Sequence, residues 1–153
     1  MTATSRGHVT ATSQDHSCDQ PGLVITHRRY VDYGAVHYAG NLAAGGYLVG
    51  LFGDVATDLC IHLDGDEGLF AAYSEVTFQA PLLAGDVIEV SAEVTRVGRR
   101  SRTIVFNAVA IARAVPEEGA TVSRPLAEPI TLATATGTVV VPRPKQERGR
   151  EHD

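Results

Sequence analysis

The chain has 153 residues, of which 44% are apolar, and its formal net charge is -5. This length favours a single domain around one hydrophobic core. The acidic balance argues against a general role in binding nucleic acid or an acidic membrane surface.

Both ends of the chain are polar, which leaves 22–142 as the predicted domain. Residues 1–21 are rich in Thr, Ser and His and are predicted to form a flexible arm, and 143–153 a flexible charged tail. The sequence starts without a basic-then-apolar stretch and contains no apolar run long enough to span a bilayer, so neither a signal peptide nor a membrane role is predicted. Two isolated thiols, Cys18 and Cys60, are typical of a reduced, cytoplasmic protein.

The first half of the chain predicts a strand, a long helix and a second strand. The strands are predicted over 23–32 and 69–79. Between them, five apolar residues recur at spacings of three and four, as in an amphipathic helix: Leu48, Phe52, Val55, Leu59 and Leu63. The acidic, glycine-containing turn at 64–68 is expected to end this helix.

The second half of the chain is predicted to be mostly strand. Apolar and polar residues alternate from Ile88 to Thr95, and further strands are predicted over 103–114 and 130–141. A loop rich in Pro, Glu and Gly is predicted at 116–129. One long helix wrapped by a curved antiparallel sheet of about five strands gives an α+β class with the hotdog arrangement.

The helix begins in an unfavourable way. It follows the block His37–Leu42, opens on Gly45 and Gly46, and carries Asp54 in its middle. A glycine in a helix interior costs about 1 kcal/mol relative to alanine. We therefore expect another group to approach this helix closely, either a ligand or a packing partner.

Several motifs resemble the hotdog superfamily. Val76–Asp86 resembles its strand–turn–strand with Phe, Pro and Gly-Asp, and Gly98–Ser101 resembles its Gly-x-x-Ser turn. Four more specific motifs are similar to the 3-aminobutyryl-CoA ammonia lyases of lysine fermentation: His37-Tyr38-x-Gly40-Asn41-Leu42, Leu51–Thr57, Asp64–Phe70 and Ser101-Arg102. The resemblance covers roughly residues 30–112 and implies an enzyme that acts on acyl thioesters.

The implied reaction gives the start of the helix a chemical role. A β-amino acyl thioester loses its amine when a base removes the α-proton, provided that the enolate oxygen is stabilised. The unpaired N–H groups at a helix N-terminus suit that oxygen, and Gly45 and Gly46 would let a thioester reach them. Asn41 could orient a carbonyl or a water, or simply cap the helix.

Three residues are candidates for proton transfer: Asp54, Glu67 and His37. Asp54 lies about 14 Å along the helix from Gly45 at 1.5 Å per residue, so it would serve the site of a second subunit. Glu67 could hold a leaving ammonium, and His37 can exchange protons near neutrality. The alternatives are a solvated helix face for Asp54, a solvated turn for Glu67 and an exposed loop position for His37. Asp58, one turn beyond Asp54, is expected to face solvent.

Candidate substrate ligands lie in two places. The turn before the fourth predicted strand contains Arg99, Arg100, Ser101 and Arg102. Guanidinium groups suit the phosphates of coenzyme A, although a charge run in a turn is often just solvated. Tyr33 and Tyr38 could line an acyl pocket or pack in the core. No metal or cofactor is expected; the thioester of coenzyme A or phosphopantetheine is the substrate.

The sequence therefore predicts a carbon–nitrogen lyase that acts as a homodimer or higher oligomer. It adds or eliminates an amine, either ammonia or an amino acid such as glycine, at the β-carbon of an acyl thioester. Two alternatives remain open: an acyl-CoA or acyl-carrier-protein thioesterase, and a non-catalytic module that binds acyl thioesters.

Overall fold

A computed structural model describes residues 21–142. The predicted arm, apart from Pro21, and the predicted tail lie outside the described residues. The elements follow in the order β1 (Val24–Tyr30), α1 (Gly45–Asp64), β2 (Leu69–Phe78), β3 (Val87–Val97), β4 (Ser101–Ala114) and β5 (Ser123–Val140). Two short 3-10 turns, Tyr33–Ala35 and Ala39–Asn41, connect β1 to α1.

The five strands form one antiparallel sheet in the order β1-β3-β4-β5-β2. β1 and β2 are therefore the edge strands. α1 packs across the sheet mainly on β3 and β1, and Phe52 of the helix meets Phe106 of β4 with ring centroids 5.1 Å apart. This arrangement confirms the predicted α+β fold of one long helix and a five-stranded antiparallel sheet.

The helix forms where the apolar spacing predicts it. All five apolar positions of the predicted stripe are buried against the sheet. Gly65 ends the helix with a φ of 65°, and its N–H donates to the carbonyl of Ile61 at 2.9 Å. A left-handed glycine is the commonest way to close a helix, so the acidic turn acts as predicted.

The length and composition of α1 correct one prediction. The helix is long and apolar enough to cross a membrane by those two measures alone, whereas no apolar run of that length was expected. Its apolar stripe, however, packs on the domain's own sheet. The core helix of a folded domain meets the same two criteria.

The last strand is longer than predicted. β5 begins at Ser123, so the predicted 116–129 loop shrinks to the residues before it. β5 pairs with β4 from its first residue, but its ladder with β2 starts only at Ala133. Within residues 21–142, the stretch that contains Pro125 and Pro129 therefore has a strand ladder on one edge only. Strands with such an edge tolerate proline, because its missing N–H can face away from the ladder.

Candidate functional site

The segment before α1 is fixed by backbone bonds to the β2–β3 connection. The Ala43 N–H donates to the carbonyl of Leu82, and the Ala84 N–H donates to the carbonyl of Asn41, both at 2.9 Å. Asn41 itself has a positive φ of 57°, which asparagine tolerates better than most residues. The exposed Asn41 side chain is thus held just ahead of the helix.

The N-cap of α1 is Ala44, whose side chain makes no capping bond. The suggestion that Asn41 caps the helix is therefore wrong, because three residues separate it from the first helical residue, Gly45. Since the first N–H groups of an α-helix have no intrahelical partner, those at this end of α1 can donate hydrogen bonds to an oxygen of a ligand. The site alternative for Asn41 stays open.

An apolar groove of about 480 Å³ lies at this end of the helix. Its walls are the lead-in and first turns of α1 and the end of β2 with the connection after it: Leu42, Ala43, Ala44, Gly45, Leu48, Phe78, Gln79, Ala80, Pro81 and Leu82. Gln79 is the one polar side chain among these lining residues. The groove can hold a small acyl group beside the uncapped helix N-terminus.

The two glycines that open the helix have different surroundings. A Cβ on Gly45 would lie 2.8 Å from Cζ of Phe78, so the ring of Phe78 packs directly on the glycine. A Cβ on Gly46 would meet nothing within 4 Å. Gly45 thus serves packing as well as access to the groove, and Gly46 leaves its side of the helix open.

Other predicted residues cluster near the same end. The rings of His37 and Tyr38 are in contact at 4.6 Å between centroids with a tilt of 41°, and both residues are exposed. Tyr33 covers Gly85, since a Cβ there would lie 2.7 Å from the Tyr33 hydroxyl oxygen. Tyr33 is exposed as well, so neither tyrosine is a core residue.

Asp54 lies on the outer face of α1. Its side chain is 61% exposed, and a carboxylate oxygen lies 3.7 Å from a guanidinium nitrogen of Arg29. Within one protomer it does not reach the groove. Asp54 can take part in the chemistry only if another subunit brings a substrate to this face.

Asp58 corrects the expectation of a solvated face. Its carboxylate lies 2.6 Å from His27 Nε2 on β1 and 3.0 Å from His62 Nδ1 on the helix. The hydrogen bond with His27, with a smaller contribution from the charge of His62, lowers the pKa of the Asp58 carboxyl. Asp58 therefore links α1 to β1, while its side chain stays 33% exposed.

The basic turn divides into two kinds of arginine. Arg99 and Arg100 are exposed. Arg102 is buried, and its guanidinium forms an ion pair with Asp64 at 2.6 Å and donates to the carbonyls of Gly98 and Ser101. Arg102 was expected either to bind a phosphate or to be solvated, and both expectations are corrected, because the alternation of β4 turns its side chain inward.

Apart from Asp54 in the middle of the helix, the predicted residues form two groups at opposite ends of α1. His37, Asn41 and the glycines lie at the N-terminal end, whereas Glu67, Ser101 and the exposed arginines lie at the C-terminal end. The helix runs from Gly45 to Asp64, which separates the groups by about 28 Å at 1.5 Å per residue. A single protomer does not bring them into one site.

Sequence reasoning missed the groove wall formed by Phe78, Pro81 and Leu82. The signal was present, since these residues belong to the Phe, Pro and Gly-Asp motif at Val76–Asp86. It was interpreted as a turn and not as a ligand surface. Among residues 21–142, no group of His, Cys, Asp and Glu side chains is arranged to hold a metal ion.

A long helix packed on an antiparallel sheet, with an acyl-sized groove at the uncapped helix start, defines the hotdog class of proteins. A family model described as the thioesterase superfamily matches residues 40–112. A 3-aminobutyryl-CoA ammonia lyase of Acetoanaerobium sticklandii is 45% identical over 112 residues, which are 73% of this chain and 89% of that protein. The chain therefore belongs to the thioesterase superfamily, and its predicted resemblance to the ammonia lyases of that superfamily is confirmed.

Solved structures agree with this assignment. The β-alanyl-CoA:ammonia lyase from Clostridium propionicum matches with a TM-score of 0.76 and 32% identity, over 80% of this chain and 87% of that one. A hexameric hotdog fold thioesterase of Campylobacter jejuni matches with a TM-score of 0.62 and 20% identity, over 82% of this chain and 84% of that one. The second match shows the shared fold alone.

Proposed function

We propose that this protein is a carbon–nitrogen lyase that eliminates an amine from, or adds one to, the β-carbon of an acyl-CoA thioester. One observation carries the proposal: the uncapped N-terminus of α1 opens on an apolar groove, in a chain 45% identical to a 3-aminobutyryl-CoA ammonia lyase. Ammonia is the favoured amine, because both related lyases are ammonia lyases.

The proposed chemistry needs only a base and an oxyanion site. The base takes the α-proton. The electron pair of the broken Cα–H bond forms the enolate, and the thioester oxygen takes the negative charge. N–H groups in the first turn of α1 would stabilise that oxygen. The enolate then reforms the carbonyl, the Cα–Cβ double bond forms as the Cβ–N bond breaks, and the amine leaves with the proton that the base took. Addition of the amine to the enoyl thioester is the same sequence reversed.

The edge strand β2 favours assembly through antiparallel pairing. It runs back along the helix, since Leu69 follows the end of α1 and Phe78 packs on Gly45. In the described part of the chain its outer edge has no strand neighbour, and it exposes three large apolar residues: Leu69, Phe70 and Phe78. Such an edge readily pairs with another strand. Two copies of β2 paired about a twofold axis would make a dimer.

Such a dimer would complete the site. Antiparallel pairing sets the Phe78 end of one β2 beside the Leu69 end of the other. Glu67, Arg99 and Arg100 of one subunit would then approach the groove of its partner. The exposed guanidiniums suit the phosphates of coenzyme A, and Glu67 would act near the amine. Asp54, on the outer helix face, would require a further subunit, for which the hexameric Campylobacter thioesterase is a precedent in this fold.

The test is an assay with crotonyl-CoA and ammonium, repeated with glycine. Loss of enoyl absorbance, a product mass equal to substrate plus amine, and no free thiol are the expected results. Release of thiol without adduct would identify a thioesterase instead. Tight binding with no turnover would identify a non-catalytic module, and either outcome would contradict the lyase proposal.

The same assay ranks the candidate bases through Glu67→Gln, Asp54→Asn and His37→Ala. Loss of a general acid or base costs about 10²-fold or more in rate. The dimer geometry favours the largest loss for Glu67→Gln. Glu117→Gln, an exposed carboxylate in the β4–β5 loop, is the matched control. Full activity of Glu67→Gln would exclude Glu67 as the base.

A further inference from the structure

The guanidinium of Arg113 on β4 closes the β2–β3 connection at two points. Its Nε and Nη2 atoms each donate to one carboxylate oxygen of Asp86 at 2.9 Å, and Nη2 also donates to the carbonyl of Pro81 at 2.9 Å. The Oδ2 atom of Asp86, which accepts from Nη2, also accepts a hydrogen bond from the N–H of Leu83 at 3.0 Å. Arg113 therefore ties both ends of the 81–86 turn together.

The 81–86 turn is also joined to the elements around it by backbone hydrogen bonds. The Val31 N–H donates to the carbonyl of Asp86, and the Gly85 N–H donates to the carbonyl of Val31, both at 2.8 Å. On its other side the turn holds the helix lead-in through the Ala43 and Ala84 bonds described above. A shift of the turn would therefore move the start of α1.

Pro81 and Leu82 line the groove together with Ala43 to Gly45, and the Ala43–Leu82 bond joins these two segments. We propose that Arg113 is a positioning residue, which holds the joined segments in place and thereby sets the fit of the acyl group beside the helix N-terminus. This inference rests on the proposed function, because it concerns the same acyl site.

The arrangement exceeds what stability alone requires. Asp86 is fully buried, and a buried ion pair is often replaceable by apolar packing without loss of stability. The third contact of Arg113, to the carbonyl of Pro81, does nothing for the charge of Asp86. It fixes the position of a groove residue, and the planar guanidinium does this while it also pairs with both oxygens of the carboxylate.

The experiment compares the affinity for butyryl-CoA with that for coenzyme A, because only the first carries an acyl group. In Arg113→Gln we expect the affinity for butyryl-CoA to fall about tenfold and that for coenzyme A by less than about twofold. KM for crotonyl-CoA should rise more than kcat falls. Arg113→Lys, which keeps the charge but not the fork, should bind butyryl-CoA with an affinity between those of the native protein and Arg113→Gln. It keeps the test decisive if Arg113→Gln fails to fold.

Arg124→Gln is the matched control. Arg124 lies opposite Arg113 in the β4–β5 register, but its guanidinium pairs with the exposed Glu118. Unchanged discrimination between butyryl-CoA and coenzyme A in the Arg113 variants would overturn this inference alone. A native protein that binds butyryl-CoA no better than coenzyme A would contradict the proposed site, and this inference with it.

Discussion

Replacing Gly45 and Gly46 separately by alanine tests whether the start of α1 is a packing position, a ligand site or both. The two residues are neighbours in the first helical turn and differ in their surroundings. The new Cβ at Gly45 would lie 2.8 and 2.9 Å from two ring carbons of Phe78, whereas at Gly46 it would meet nothing within 4 Å. The pair thus separates the effect of the glycine from that of the contact.

The magnitudes follow from these distances. Gly46→Ala should stabilise the domain by about 0.5–1 kcal/mol, since alanine restricts the unfolded chain and favours the helix. Gly45→Ala gains the same stabilisation from alanine, but its new methyl group overpacks the Phe78 contact, which costs about 1–3 kcal/mol. The Phe78 side of the clash can relax because the residue is 53% exposed, so we expect a net loss near 1 kcal/mol for Gly45→Ala. The melting temperatures of the two variants should differ by about 4–6 °C.

Activity supplies the second half of the test. Gly45→Ala places a methyl group in the groove, so kcat/KM with crotonyl-CoA and ammonium should fall about tenfold or more. Adding Phe78→Leu should restore the melting temperature by relieving the overlap, but not the activity. Unchanged kcat/KM in Gly45→Ala would refute the role of the helix N-terminus, and equal melting temperatures for the two alanine variants would refute the packing argument.

Three further predictions concern stability and assembly. The hydrogen bond that lowers the pKa of Asp58 stabilises the fold above the ordinary carboxyl value of 3.8, and this stabilisation is lost as pH falls through the lowered pKa. In urea unfolding, Asp58→Asn should be less stable than the native chain at neutral pH, and the gap should close as the pH is lowered through that pKa. Arg102→Gln leaves a buried carboxylate unpaired and should cost about 3–5 kcal/mol in the same assay, whereas the exposed Arg100→Gln should cost less than about 0.5 kcal/mol; equal effects would contradict the burial argument. Ser74→Lys, near the middle of β2, would set two like charges close together across the twofold axis of the β2-paired dimer. It should therefore shift the protein towards monomer in size-exclusion chromatography. Thr95→Lys on β3 is the control, and an unchanged elution volume for Ser74→Lys would exclude β2 pairing.

The fold was predictable because its signals are local and periodic. The spacing of Leu48, Phe52, Val55, Leu59 and Leu63 has one solution, a helix with that stripe buried. The long β5 was not predictable, because Pro125 and Pro129 normally argue against a strand. Their tolerance depends on which edge of β5 has a neighbour, and that is set by the tertiary pairing with β2.

The site was predictable only in part, for a related reason. Residue types identified the helix start and the basic turn, but could not show that Arg102 turns inward to Asp64 while Arg99 stays exposed. That difference follows from where β4 begins. The pairing of Asp86 with Arg113 joins residues far apart in the chain, and no local pattern indicates which arginine a buried carboxylate will meet.

The strand order has a consequence for how the chain folds during synthesis. β2 has β5 as its sheet neighbour, and the ladder between them uses residues 133–140 of β5. β2 therefore leaves the ribosome roughly 55 residues before its partner exists, which is several seconds at about 5–20 residues per second. Throughout that delay both of its edges are unpaired and its apolar side chains are uncovered. Nascent chains on neighbouring ribosomes can then join through β2 before either domain is complete, so slower translation or crowded polysomes should increase aggregation of this protein.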